Sequence, residues 1–189
     1  MSLDFNDLRK YQKEAQIRNK ENAVIESERV VEADEEINEA FLDLQKQLMA
    51  KVNSDEFARK LEEIIHKKIE EDPYRDKYHI IMYIYFAIIN EGRKRFAYLA
   101  INNNHDDQIL EVKHKFGFLR DLDIARNKTV FCNRTTNILK DFGVVLDEKF
   151  RIPTKVEYDC KKYAETYYPF HCGTAIELFL DFKNIGNNN

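Results

Sequence analysis

The chain has no tryptophan, only three prolines, three cysteines and five glycines among its 189 residues, and no long apolar run. Each shortage excludes something. Cys132, Cys160 and Cys172 are an odd count without a Cys-x-x-Cys pair. A disulfide framework is therefore not indicated, and inert thiols in a reducing, intracellular (cytoplasmic) setting are expected. The N-terminal MSLDFNDLRK carries charges where a secretory signal has its apolar segment, which points the same way. The longest apolar run, Ile80 to Ile89 (IIMYIYFAII), has ten residues, whereas a bilayer span needs about 20, so no membrane partner is expected. No proline precedes Pro73 and no glycine precedes Gly92, so nothing in the first 72 residues is a strong helix breaker. A phosphate-cradling glycine loop, Gly-x-Ser-x-Gly and His-Glu-x-x-His are also missing, which argues against the recognisable enzyme classes and implies no cofactor.

What is present is rings and charge. With 13 Phe and 10 Tyr, a chain of this length builds a real core, burying roughly two thirds of its unfolded surface. The net charge of −4 hides a division: residues 1–72 hold 19 acidic and 12 basic side chains, net −7, and residues 73–189 hold 15 and 18, net +3. Two parts are therefore expected: an acidic helical arm over 1–72 and a compact helical domain over 73–189. Lys10 to Ala23 shows little apolar periodicity. Further along, Val30, Ala33, Ile37, Ala40 or Phe41, Leu44 and Leu48 recur at spacings of three and four, the seam of a coiled coil. That seam either folds back on the same chain or pairs with another. Seven acids lie in the fourteen residues Glu26 to Glu39 and cover its flank. The candidate partner-binding residues are Val30, Ile37, Phe41, Leu44 and Leu48, with Glu32, Glu35 and Glu36 beside them.

Beyond the arm, Ser54 followed by Asp55 and Glu56 predicts a helix start, and Asp72-Pro73 predicts another. Residues 80–89 suit a buried helix or a strand. Gly92, Gly117 and Gly143, each after a periodic stretch, read as helix C-caps, and Thr154-x-x-Glu157 and Thr174-x-x-Glu177 match capping boxes. These favour helix throughout, with a helix over 107–116 as well. The exception is Val144 to Ile152 (VVLDEKFRI), which reads as a short β-hairpin. The fold class expected is thus mainly α, a long coiled-coil-like arm plus a helical domain with one hairpin.

Three constellations could carry chemistry. In NNNHDDQ, His105 and Asp106, with His79 upstream and Asp141 or Asp159 downstream, resemble the metal-binding pattern of HD phosphohydrolases, which implies a divalent metal activating water. The same letters make an Asn/Asp-rich loop that caps a helix, and no metal site is assigned. Cys132, Cys160, His171 and Cys172 lack the paired spacing of structural zinc. The segment Cys132 to Ile152 resembles the recognition helix and wing of a winged-helix domain. That resemblance implies DNA contact through Asn133, Arg134, Thr136, Asn137, Lys140 and Lys149.

The reading favoured by these features is a non-enzymatic interaction or assembly protein. Its partner would be another protein or a second copy in a homo-oligomer. A winged-helix DNA-binding regulator and an HD-type hydrolase are the alternatives. Abundant Asn, Lys, Ile and Tyr suits an AT-rich genome, and a small motif-poor chain suits a phage or mobile element, with a viral particle as one destination.

Overall fold

A computed structural model describes residues 5–103, 108–158 and 174–185. One helix, α1 (Phe5–Val52), is followed by α2 (Asp55–Glu71), β1 (Lys77–Glu91), β2 (Lys94–Asn102) and β3 (Gln108–Phe116). Then come α3 (Asp121–Arg126), α4 (Lys128–Phe150), β4 (Thr154–Tyr158), β5 (Thr174–Asp181) and the single turn α5 (Phe182–Ile185). The strands form one antiparallel sheet in the order β3-β2-β1-β5-β4. β1 is its spine: Lys77 to Ile84 pair with β5, and Tyr83 to Glu91 pair with β2. The expected helical domain with a single hairpin is therefore overturned, because the second part of the chain is built on a five-stranded sheet.

Each misassigned segment has a physical reason. In β1 the residues Tyr78, Ile80, Met82, Ile84 and Phe86 are buried while Lys77, His79 and Tyr83 are exposed, a period of two that the uniformly apolar letters conceal. Gly92 is not a helix cap. It takes φ 63° at the first position of the two-residue turn Gly92-Arg93 between β1 and β2, where such hairpins favour glycine. Residues 108–116 form β3 instead of a helix, and the two apparent capping boxes lie in β4 and β5; Thr and β-branched neighbours serve strands equally well. Conversely the expected hairpin over 144–152 continues α4 as far as Phe150. Leu139, Phe142, Gly143, Leu146 and the half-buried Phe150 keep the helical period through the glycine. The helix stops at Arg151, which is left-handed (φ 53°), just before Ile152-Pro153.

The seam of α1 lies against the sheet. Ala33, Ile37, Ala40, Phe41, Leu44, Leu48 and Val52 share one core with Phe86 of β1, Leu99 of β2, Val112 of β3, Ile176 and Leu178 of β5, and Phe131, Leu139, Phe142 and Leu146 of α4. Phe41 stacks on Phe86 with ring centroids 5.6 Å apart and also meets Phe131 at 5.7 Å. Ser54 caps α2, its hydroxyl accepting from the Phe57 amide at 3.2 Å, and Phe57 packs edge-on against Phe142. Arm and sheet therefore share a single core.

Polar contacts fix the helix across the sheet's edge. β3 is an edge strand, and its outward carbonyls would otherwise be open to another strand. Three alternate ones are taken from the helices: Lys60 Nζ donates to the Ile109 carbonyl (3.3 Å), Lys51 Nζ to that of Glu111 (2.5 Å) and Gln47 Nε2 to that of Lys113 (2.9 Å). His114 Nδ1 lies 2.9 Å from Asp43 Oδ2, and the hydrogen bond from His114 holds the Asp43 carboxyl below its ordinary range.

Because Leu44 and Leu48 are fully buried in the shared core, truncating either to Ala should destabilise the entire chain by about 2–5 kcal/mol. This should appear as one cooperative urea transition with a lower midpoint, whereas Leu42→Ala, exposed on the same helix, should leave the midpoint unchanged. Two transitions, of which only one moves, would contradict a shared core.

Candidate functional site

Three surfaces are available on the described residues: the N-terminal half of α1, the sheet face turned away from the helices, and the outer side of α4. The first is the most unusual. From Arg9 to Glu28 every side chain of α1 is exposed except the half-buried Ala15, so about 30 Å of helix stands clear of the core. Ala, Glu, Lys, Arg and Gln favour helix, and the packed turns from Ala33 onward supply the costly nucleus. Along this projection Tyr11, Ile17, Val24, Ile25 and Val31 are each more than half exposed. The acidic run at its base is partly consumed within the chain. Glu36 accepts from the amides of Gly117 and Phe118, Asp34 pairs with Arg126 at 3.1 Å, and Glu26 pairs with Arg120 at 3.6 Å.

On the open sheet face, Tyr85 and Tyr98 meet edge to face at 5.9 Å, and Lys113 Nζ sits over the Tyr98 ring while pairing with Glu91 at 2.7 Å. Gln108 Nε2 donates to the Tyr98 hydroxyl at 3.4 Å. Burial, reinforced by the Glu111 carboxylate, pushes the Tyr98 phenol up to about 12. A hydrogen bond from Gln108 is the main reason that Glu111 stays below its usual range. The pair is thus a neutral phenol facing a carboxylate, a structural bond and not an acid-base couple poised near neutrality. Toward β5, the ring of His79 stacks on Phe179 (4.9 Å) and its Nε2 lies 2.8 Å from Glu177 Oε2.

The residues singled out from the sequence fall as follows. Ile37, Phe41, Leu44 and Leu48 are buried inside the chain, Val30 and Glu36 are half-buried, and Glu32 and Glu35 are exposed. Of the two ways to bury the seam, the chain takes the intramolecular one. On α4, Asn133, Asn137 and Lys140 are exposed, but Arg134 is held over the Phe41 ring at 6.0 Å, the Thr136 hydroxyl donates to the Cys132 carbonyl, and Lys149 donates to the Val52 carbonyl at 3.1 Å. The wing is absent, since its residues belong to α4. The recognition-helix resemblance therefore loses its second half, and three of its six side chains serve packing.

His105, Asp106 and Asp159 lie outside the described residues, as do Cys160, His171 and Cys172. His79 is on the open sheet face, whereas Asp141 accepts from Gln45 of α1 on the helix-covered side, so these two do not converge. Among the described residues no cluster of three or more His, Cys, Asp or Glu could hold a metal. Cys132 is half-buried on α4. No helix among the described residues is long and apolar enough to cross a membrane. The apolar seam leaves out the exposed side of α1, where Ile17, Val24 and Val31 stand seven residues apart, a signal hidden by its sparseness. Comparison with protein families, curated proteins and solved structures finds no match for this chain.

The folded chain holds the Tyr98 proton more tightly than the unfolded chain, whose phenol titrates at 10.0. The associated stabilisation is complete below that pH and is lost as pH rises toward about 12. Phenolate absorbance of the native protein should show a high titration that Tyr98→Phe removes, and the variant should lose less stability across that window. A wild type in which every tyrosine has titrated near 10 would contradict this network.

Proposed function

We propose that this chain is a non-enzymatic interaction or assembly protein, and that the projecting half of α1, Arg9 to Val31, with Glu32 and Glu35 beside it, is the surface that meets its partner. One observation carries this reading: about 20 residues of helix stand outside the core with apolar side chains exposed along them. A globular body gains nothing from such an extension, whereas a partner helix or groove would bury its apolar positions. The seam drops out of the partner surface because Ile37, Phe41, Leu44 and Leu48 are already committed to the core. The acidic flank retains its role as the element that selects orientation.

The test is proximity cross-linking of the full-length chain in the cells that produce it, followed by recovery with and without nuclease and mapping of the linked residues. The expected result is nuclease-resistant cross-links to protein concentrated on Lys10, Lys13 and Lys20. Cross-links confined to the sheet and α4, or co-recovered nucleic acid that is lost on digestion, would remove this reading and direct attention to Asn133, Asn137 and Lys140.

A further inference from the structure

The projecting helix carries a charge gradient along its length. From Arg9 to Lys20 there are five basic residues and one acidic, whereas from Glu21 to Glu39 there are eight acidic and one basic. The gradient is sharpest on the side opposite the core. Residues 13, 17, 20, 24, 28, 31 and 35 succeed one another at spacings of four and three, which keeps them on a single helical face. They read Lys13, Ile17, Lys20, Val24, Glu28, Val31, Glu35. All seven are exposed, with Ile17 at 56%, Val24 at 57% and Val31 at 54%. None of the four charges has an ion-pair partner within the chain among the described residues.

This stripe is complementary to its own reverse. Turning a second copy about a two-fold axis through Val24 places Val24 on Val24, Ile17 on Val31, Lys20 on Glu28 and Lys13 on Glu35. Every apolar position then meets an apolar one and every base meets an acid. A parallel arrangement would set like against like, Lys13 on Lys13 and Glu35 on Glu35. We propose that two copies of this chain pair antiparallel through the face Lys13 to Glu35, centred on Val24. The proposal rests on the interaction reading above and names the partner as a second copy. An isologous two-fold contact is the commonest form of self-association and requires this kind of self-complementarity. The geometry leaves room for it, because the core-facing residues Ile37, Leu44 and Leu48 lie on the other side of the helix, so each body sits away from the stripe. Three apolar positions per helix make a short, weak seam, and the charge pattern supplies direction and register.

The test uses the full-length chain and measures mass by sedimentation over a range of concentrations. Wild type should dimerise. The reversal Lys13→Glu with Lys20→Glu should weaken self-association by more than about tenfold, as should Glu28→Lys with Glu35→Lys, because each places like charges opposite one another. Mixing the two reversed variants should restore a dimer of one copy of each. Since all four positions are exposed, folding is checked by an unchanged urea midpoint. In a second arm, Val24→Cys should give an oxidised covalent dimer that wild type does not. A monomeric wild type whose Lys13 or Lys20 cross-links to a different protein would overturn self-pairing while leaving the interaction reading intact. A monomer whose projecting helix cross-links to nothing would remove both. A dimer indifferent to both reversals would overturn the stripe as its interface.

Discussion

The packing of one helix face on one sheet face is the constraint on which the rest of this molecule depends. Phe41, Leu44 and Leu48 of α1 fill the space above Phe86, Leu99 and Val112, and α4 closes the same space from beside them. A sheet has two faces and must bury at least one, and the helices that bury this one come from before β1 and after β3 in the sequence. Neither the acidic arm nor the sheet completes a core without the other.

The uneven charge follows from the same docking. The first 72 residues are acidic and the remainder is mildly basic, and where the two parts meet, Asp34 faces Arg126, Glu26 faces Arg120, Asp43 faces His114 and Glu36 holds the amides of the loop after β3. Exposed pairs of this kind contribute little each, but they set the direction in which α1 crosses the sheet. The basic and amide side chains of Gln47, Lys51 and Lys60 act on the edge of β3, occupying carbonyls that would otherwise template another strand. The β3 edge is thereby closed to the addition of another strand.

That helix extends beyond its own core because the turns packed on the sheet have already met the cost of nucleation. Its exposed face is the surface of this protein with an internal logic of charge and apolar position. The other two candidate surfaces are more self-contained: the open sheet face is bound into the Tyr98, Glu111 and Lys113 network, and three of the six polar side chains picked out on α4 are engaged within the chain.

Local chemistry was enough to read α1 as one long helix, the seam within it, and the start of α2 at Ser54, because these depend on period, propensity and a cap within a few residues of one another. The charge division was equally legible. The letters left Ile80 to Ile89 and 174–183 open and misled at 107–116, which reads locally as a helix and where Gln108–Phe116 is strand β3, since such runs fit a helix or a strand until hydrogen-bonding neighbours from distant parts of the chain are supplied. Gly92 and Gly143 show the same limit: one turns a hairpin and the other rides inside a helix, and only the packing on either side distinguishes them. Of the candidate site, the amino acid sequence itself determined which side chains were apolar and which were charged. The tertiary structure alone decided that Ile37, Phe41, Leu44 and Leu48 face inward and that Ile17, Val24 and Val31 face outward, because burial depends on what the rest of the chain brings to each side of the helix.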